Sequence, residues 1–181
     1  MSFDTPKIMG ILNVTNDSFY DGGQHVDLPA ALSHAEALLQ AGADIIDIGG
    51  QSARPGAKLL TEQEEVAQVL PVIQAIRKRF PQAILSVDTF RAKVAEESIL
   101  AGAHIVNDVS GGKLDEQMFT TVAGLQVPYI LMHMRGTPET LQQFTQYQDV
   151  VVDVAVELGH AVAELRRLGV RDIILDPGFG F

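Results

Sequence analysis

The chain has 181 residues, 46% of them hydrophobic, with a formal net charge of −10 and no cysteine. That suits one domain with a sizeable core, disfavours nucleic acid and anionic membranes as general partners, and removes disulfides and thiolate metal sites. With no apolar run long enough to span a bilayer and no signal-peptide pattern at the N-terminus, a soluble cytoplasmic protein is expected.

A first strand is predicted near residues 8–13. The polar loop after it, Asn13 to Gly23, is rich in oxygens that suit a hard cation such as Mg²⁺ shared with phosphate. Pro29 to Gln40 sets Leu32, Ala35, Leu38 and Leu39 at helical spacing. A strand near 43–48 then leads into Gly49-Gly50-Gln51-Ser52-Ala53-Arg54-Pro55-Gly56, a flexible loop whose Arg54 suits an anion. Thr61 and Glu64 form a capping-box pattern at the head of a helix running toward Phe80, which Pro71 is expected to kink or split. Strands near 83–88, 103–107, 127–133 and 171–176 alternate with helical patterns over Arg91–Leu100, Asp115–Ala123 and Asp149–Leu168. Gly42, Gly102, Gly124 and Gly169 stand where left-handed helix caps are expected. His104 opens its strand and reads as structural. His133 closes the next one and reads as a hydrogen-bonding wall, with no second ligand at zinc spacing.

The strands share one design, an apolar β-branched run ending in a polar group: Asp47, Asp88, Asn107, His133 and Asp176. Runs without alternation are buried on both faces, as in parallel sheets covered by helices. A single strand-end Asp or Asn could merely cap the next helix. Several at once point to one rim and one site, where carboxylates and an amide could grip a flat heterocycle through paired N–H bonds. A weak internal repeat supports a strand-plus-helix unit: Ala41-Gly42-Ala43-Asp44-Ile45-Ile46-Asp47 matches Ala101-Gly102-Ala103-His104-Ile105-Val106-Asn107 at a spacing of 60 residues. Polar strand ends favour a TIM (β/α)₈ barrel over an open dinucleotide-binding sheet, and about six of its β/α units are present, as a single domain over 1–181 that is incomplete at its C-terminus.

Taken in order, several segments resemble the dihydropteroate synthase family. They are Met9-Gly10-Ile11-Leu12-Asn13-Val14-Thr15 with Asp17-Ser18-Phe19 and Asp21-Gly22-Gly23, then Ile46-Asp47-Ile48-Gly49-Gly50 with Arg54-Pro55-Gly56. Ser86-Val87-Asp88-Thr89, Ile105-Val106-Asn107-Asp108, Leu131-Met132-His133-Met134 and Asp176-Pro177-Gly178-Phe179-Gly180 complete the series. The resemblance implies a (β/α)₈ barrel that joins 4-aminobenzoate to a dihydropterin diphosphate, releases pyrophosphate in folate biosynthesis, and is the target of sulfonamides. It implies that Asp88, Asn107 and Asp176 hold the pterin ring, with Ile130 and Met132 lining its slot. Asn13 would ligate Mg²⁺. Asp88, Asp21 and Arg54 would carry catalysis, the last two by ordering the loops. Phe19, Pro55 and Phe181 would form the aminobenzoate pocket. A homodimer is implied for the complete enzyme.

The chain departs from the family at Asn16, Gln51 and Ala53, where Pro, Glu and Thr are usual. The family also continues for about two more β/α units, with a Ser-Arg-Lys segment and a last-strand Arg-x-His that this sequence lacks. The isolated chain is therefore expected to be impaired. Two other readings are a pterin-binding domain of a methyltetrahydrofolate–corrinoid methyltransferase and a non-catalytic fragment. The Asp17-Ser18-Phe19 and Arg54-Pro55-Gly56 loops favour the synthase.

Overall fold

A computed structural model of the chain describes residues 4–14, 20–21, 25–51, 59–137, 140 and 143–179. Its main sheet holds six parallel strands: β1 (Met9–Asn13), β4 (Ile45–Gly49), β5 (Ile84–Asp88), β6 (Ile105–Asp108), β7 (Tyr129–Met132) and β8 (Ile173–Asp176), hydrogen-bonded in that order. Between them lie the helices α1 (Leu28–Gln40), α2 (Glu62–Arg79), α3 (Ala92–Ala101), α4 (Met118–Leu125) and α5 (Val150–Arg167). Strand order following chain order through helical crossovers is the winding of a (β/α) barrel. Over the described residues the sheet is not closed.

A pair of two-residue antiparallel strands, β2 (Tyr20–Asp21) and β3 (His25–Val26), forms a separate small sheet. It lies partly inside what the sequence presents as one polar loop. Strands that short are set by backbone pairing and leave no hydrophobic period to read.

Two apolar layers hold the main sheet. On its helix-facing side, Leu12, Ile46, Ile48, Leu85, Val87, Val106, Tyr129 and Leu131 pack against Val69, Val72, Ile73, Ile76, Met118, Val122, Leu158 and Leu165. On the other side Ile45, Ile105 and Ile130 pack with Met9, Ile84 and Ile174 at the N-terminal half of the strands. Burying side chains of this size contributes about 1.5–3 kcal/mol each. The inner layer is apolar only at depth; toward the strand ends polar residues replace it.

Helix ends follow local chemistry. Asp27 caps α1 through Ala30 N–H at 3.0 Å. The capping box at α2 is complete: Thr61 N–H donates to Glu64 Oε2 at 2.7 Å, and Glu64 N–H donates to Thr61 Oγ1 at 3.3 Å. Pro71 lies inside α2 and does not split it: the helix runs from Glu62 to Arg79 as one element. Gly124 is not a left-handed cap, because α4 continues to Leu125 and Gln126 takes that conformation at φ 54°, its side chain donating to the Ala123 carbonyl at 2.5 Å. α4 also begins at Met118 rather than Asp115, whose carboxylate is drawn away to accept from Ala92 N–H and Gln117 N–H. No helix among the described residues is long and apolar enough to cross a membrane.

Candidate functional site

In a parallel ladder, residues side by side point to the same face. The register sets Asn13, Gly49, Asp88, Asn107, Ile130 and Ile174 in one row across the sheet. One pleat further toward the strand ends, Met132 pairs with Asp176. One pleat deeper, Asp47 pairs with Ser86. All of them share the inner face, opposite the helices. The strand-end residues therefore gather at one mouth.

The row has specific geometry. A Cβ added at Gly49 would sit 3.2 Å from Asp88 Oδ2 and 3.3 Å from Asn13 Oδ1, so both oxygens lean over the space that the glycine leaves. Asn107 Nδ2 donates to Asp47 Oδ2 at 2.9 Å, bridging β6 to β4 above β5. Ile130 and Met132 are buried beside Asn107 and Asp176 and give the row an apolar flank. Asp176 Oδ1 accepts the Gly178 N–H at 2.7 Å, which turns the chain immediately after β8. Gly178 has φ 73°, and a Cβ there would lie 2.5 Å from the His133 carbonyl. Only glycine allows that loop to close on the end of β7.

Burial dominates the electrostatics. It pushes the Asp88 carboxyl up to about 8, and the neighbouring charges of Asp47, Glu65 and Asp108 act in the same direction. Burial also raises Asp47. Asp108 is raised by burial too, but it faces the helices and is fully engaged: Tyr129 Oη–H donates to it at 2.6 Å, and the backbone N–H groups of Ser110 and Gly112 at 2.7 and 2.8 Å. Crowding carboxyls into a poorly solvated space favours a ligand that brings N–H donors or positive charge.

Asp88, Asn107 and Asp176 thus come together as the strand-end argument expects, and Asn13, Ile130 and Met132, which the family resemblance adds, share their face. Asp21 lies in β2, with its side chain outside the described set, as are residues Phe19, Arg54, Pro55 and Phe181 altogether. The ends of that second loop are tied down. Leu60 N–H donates to Gln51 Oε1 at 3.4 Å, and Arg91 binds the Leu60 carbonyl at 2.5 Å while pairing with the fully buried Glu65. His133 does not form a wall of the site. It follows Met132 on the alternate face, and its Nε2 meets Glu157 Oε2 on α5 at 3.1 Å. His104 is structural as expected, accepting the Leu85 N–H through Nδ1 at 3.0 Å at the far end of the strands.

Asp47 is counted among the strand-end polar groups but given no role by the sequence, and the structure sets it inside β4 rather than at the tip. Its signal lay in the repeat: Asp47 is the counterpart of Asn107 at the 60-residue spacing, and the two side chains bond to each other.

Among the described residues no cluster of three or more His, Asp or Glu could hold a metal. The donors that lean over Gly49 are hard oxygens, one amide and one carboxylate. They fit a Mg²⁺ ion that keeps most of its ligands from water and phosphate.

The model of the pterin binding enzyme family matches residues 9–181. The chain belongs to that family. It is 46% identical over 176 residues to a dihydropteroate synthase of Synechocystis, covering 96% of this chain and 61% of the relative. The Escherichia coli dihydropteroate synthase is 44% identical over 179 residues, covering 97% and 62%. Longer relatives include the Schizosaccharomyces pombe folic acid synthesis protein fol1, 49% identical over 99% of this chain but only 26% of the relative. The chain therefore spans less than two thirds of these curated relatives. Among solved structures, the Yersinia pestis dihydropteroate synthase in a sulfonamide drug complex superposes with a TM-score of 0.90 at 44% identity, over 100% of this chain and 66% of that one. The Xanthomonas albilineans enzyme in complex with 7,8-dihydropteroate gives 0.84 at 37% identity, over 100% and 63%. These relatives are (β/α)₈ barrels, and the six strands described here are the matching part of that fold.

Proposed function

We propose that this chain carries the pterin-binding face of a dihydropteroate synthase, which joins 4-aminobenzoate to 6-hydroxymethyl-7,8-dihydropterin diphosphate and releases pyrophosphate. The observation that carries the reading is the gathering of Asn13, Asp88, Asn107 and Asp176 on one inner face, over two successive pleats, together with Ile130 and Met132. The bound sulfonamide and 7,8-dihydropteroate in the two structural relatives support it.

In this proposal Asp176 accepts paired N–H bonds from the pyrimidine edge of the pterin, and Asn107 accepts from the same edge. Ile130 and Met132 enclose the ring and keep water from it. Asp88 faces the reacting side. As the carbon–oxygen bond to the diphosphate breaks, the exocyclic carbon becomes cationic and conjugated with the ring; positive charge beside the Asp88 carboxyl favours its ionised form, which stabilises that charge. The neutral arylamine of 4-aminobenzoate then forms the carbon–nitrogen bond and gives up a proton. Asn13 would hold Mg²⁺, which when bound neutralises charge on the departing phosphates. Asp21 and Arg54 would order the first two loops over the substrates, and Phe19, Pro55 and Phe181 would hold the aminobenzoate. The proposal extends to a cytoplasmic enzyme that is a homodimer when complete.

A titration separates this reading from the methyltransferase alternative. The chain is expected to bind 6-hydroxymethyl-7,8-dihydropterin diphosphate with Mg²⁺ more tightly than methyltetrahydrofolate. A preference for methyltetrahydrofolate, or equal indifference to both, would overturn it.

A further inference from the structure

We infer that Asp47 is a specificity-determining positioning residue: by taking the Asn107 amide N–H it fixes Asn107 as a hydrogen-bond acceptor, so that the site selects a heterocycle with an exocyclic amine over one with a carbonyl at the same place. The inference rests on the pterin reading above and deepens it.

The geometry is a two-tier stack. Asp47 lies one pleat below the ligand row and is only 5% exposed. Asn107 reaches down to it across a strand and commits Nδ2 at 2.9 Å. An amide has one donor arm and one acceptor arm. With Nδ2 pinned beneath by one of its two hydrogens, the carbonyl oxygen is held on the side away from Asp47, where a ligand meets it. The reverse orientation would set that oxygen against Asp47 Oδ2 and bury two acceptors face to face. The preference holds whether Asp47 is ionised or carries a proton on Oδ1, since Oδ2 accepts in both states.

The second observation is the cost of this tier. Burial raises the Asp47 carboxyl, and the hydrogen bonds with Ser86 and Asn107 act against that rise. Burying a carboxyl beneath a binding face costs free energy, and its presence in a folded core asks for an explanation. A carboxylate retained there, beneath a site already crowded with Asp88, is explained by what it does to Asn107. The same position filled by an apolar residue would leave the amide free to turn.

The chemistry identifies the ligand feature. A 2-amino-4-oxo pteridine presents two amine hydrogens on its pyrimidine edge. A 2,4-dioxo pteridine replaces them with a carbonyl oxygen, which meets the Asn107 oxygen as acceptor against acceptor. Sites built around one polar partner reject the analogue that mismatches it.

The test uses the full 181-residue chain with 6-hydroxymethylpterin and 6-hydroxymethyllumazine as probes, followed by fluorescence titration. The unaltered chain is expected to favour the pterin. Asp47→Leu, which removes the acceptor beneath the amide, is expected to cut that preference roughly tenfold, through weaker pterin binding with lumazine binding unchanged or improved. The exchange variant Asp47→Asn with Asn107→Asp keeps an acceptor facing the ligand, and is expected to hold the preference to within about threefold of the original. Ser86→Ala, which alters the same tier without touching the amide, should leave the preference unchanged. Equal weakening of both probes by Asp47→Leu, or an unchanged preference, overturns the inference. If Asp47→Leu does not fold, the exchange variant decides alone, and loss of its preference overturns the inference. If the unaltered chain shows no preference at all, the pterin reading itself fails, which is a different result.

Discussion

Two polar clusters stand at the C-terminal ends of the strands, on opposite faces of the sheet, and they differ in one respect. On the helix side, Glu157 collects Arg135 Nε at 2.8 Å, Arg135 Nη2 at 2.6 Å, His133 at 3.1 Å and Lys113 at 3.4 Å. Arg135 also lies over the Tyr147 ring, 3.9 Å from its centroid, and donates to the Gln146 carbonyl at 2.9 Å. Burial works to raise Glu157, but the bonds from Arg135 and the Lys113 charge outweigh it, and its carboxyl is held below the ordinary range. On the inner side, burial gathers Asp47 and Asp88 with Asn13 and Asn107, and no cation among the described residues offsets them; Asp88 rises to about 8. The first cluster satisfies itself and serves the fold. The second gathers polar groups and leaves acceptors over, which is the arrangement of a binding site.

The contrast predicts opposite outcomes for mutation. The largest effect is expected from Asp88→Asn, which should weaken binding of 6-hydroxymethyl-7,8-dihydropterin diphosphate by on the order of a hundredfold: a ligand that brings N–H donors or positive charge favours the ionised Asp88 carboxyl, and an amide cannot follow. The same variant removes a poorly solvated carboxyl, so its melting temperature should hold or rise. A large drop in melting temperature would put Asp88 with the structural cluster. Glu157→Ala is the mirror case. Leaving Arg135 and His133 without their partner should lower the urea unfolding midpoint, with pterin affinity changed less than about threefold. If binding collapses instead, the two clusters are one functional unit.

The pH dependence of stability is a smaller effect with a definite sign. Asp88 in the folded chain keeps its proton up to about 8, whereas in the unfolded chain it ionises near the ordinary value of 3.8. Between those values the folded state binds more protons. Unfolding free energy should therefore fall as pH rises through that window, by up to about 1.4 kcal/mol per pH unit for one proton. Urea melts from pH 5 to 8 read it, and Asp88→Asn should flatten the slope. A slope unchanged by that variant would contradict the assignment. The smallest effect is expected at Gly49→Ala, whose methyl would press on Asp88 Oδ2 and Asn13 Oδ1 at 3.2 and 3.3 Å. Both side chains can give by a few tenths of an ångström, so stability should move by less than about 1 kcal/mol, while Mg²⁺-dependent ligand binding weakens severalfold. Titrations with and without Mg²⁺ separate the two.

Much of this was legible in the sequence because parallel strands are buried on both faces. Apolar runs marked the main strands to within a few residues, and a polar residue at the end of such a run has one place to go. That placed Asp88, Asn107 and Asp176 at one mouth before any coordinates. What stayed hidden depended on relations between segments. His133 and Glu157 lie 24 residues apart, and nothing local says which face of α5 turns toward β7. The alternation that sends Met132 inward and His133 outward follows only once the strand register is known. Gln126, not Gly124, takes the left-handed cap of α4, a choice that glycine's conformational preference does not signal. The small β2–β3 pairing had no apolar period to announce it.

The most direct test of the central claim is where a pterin touches the chain. Titrating 6-hydroxymethylpterin into ¹⁵N-labelled protein should shift the amides of Gly49, Asp88, Asn107, Met132 and Asp176. Those of His104 and Arg171 at the far end, and of Glu157 on the helix side, should stay still. Shifts confined to the far end or to the Glu157 cluster, with the inner row unmoved, would contradict the account.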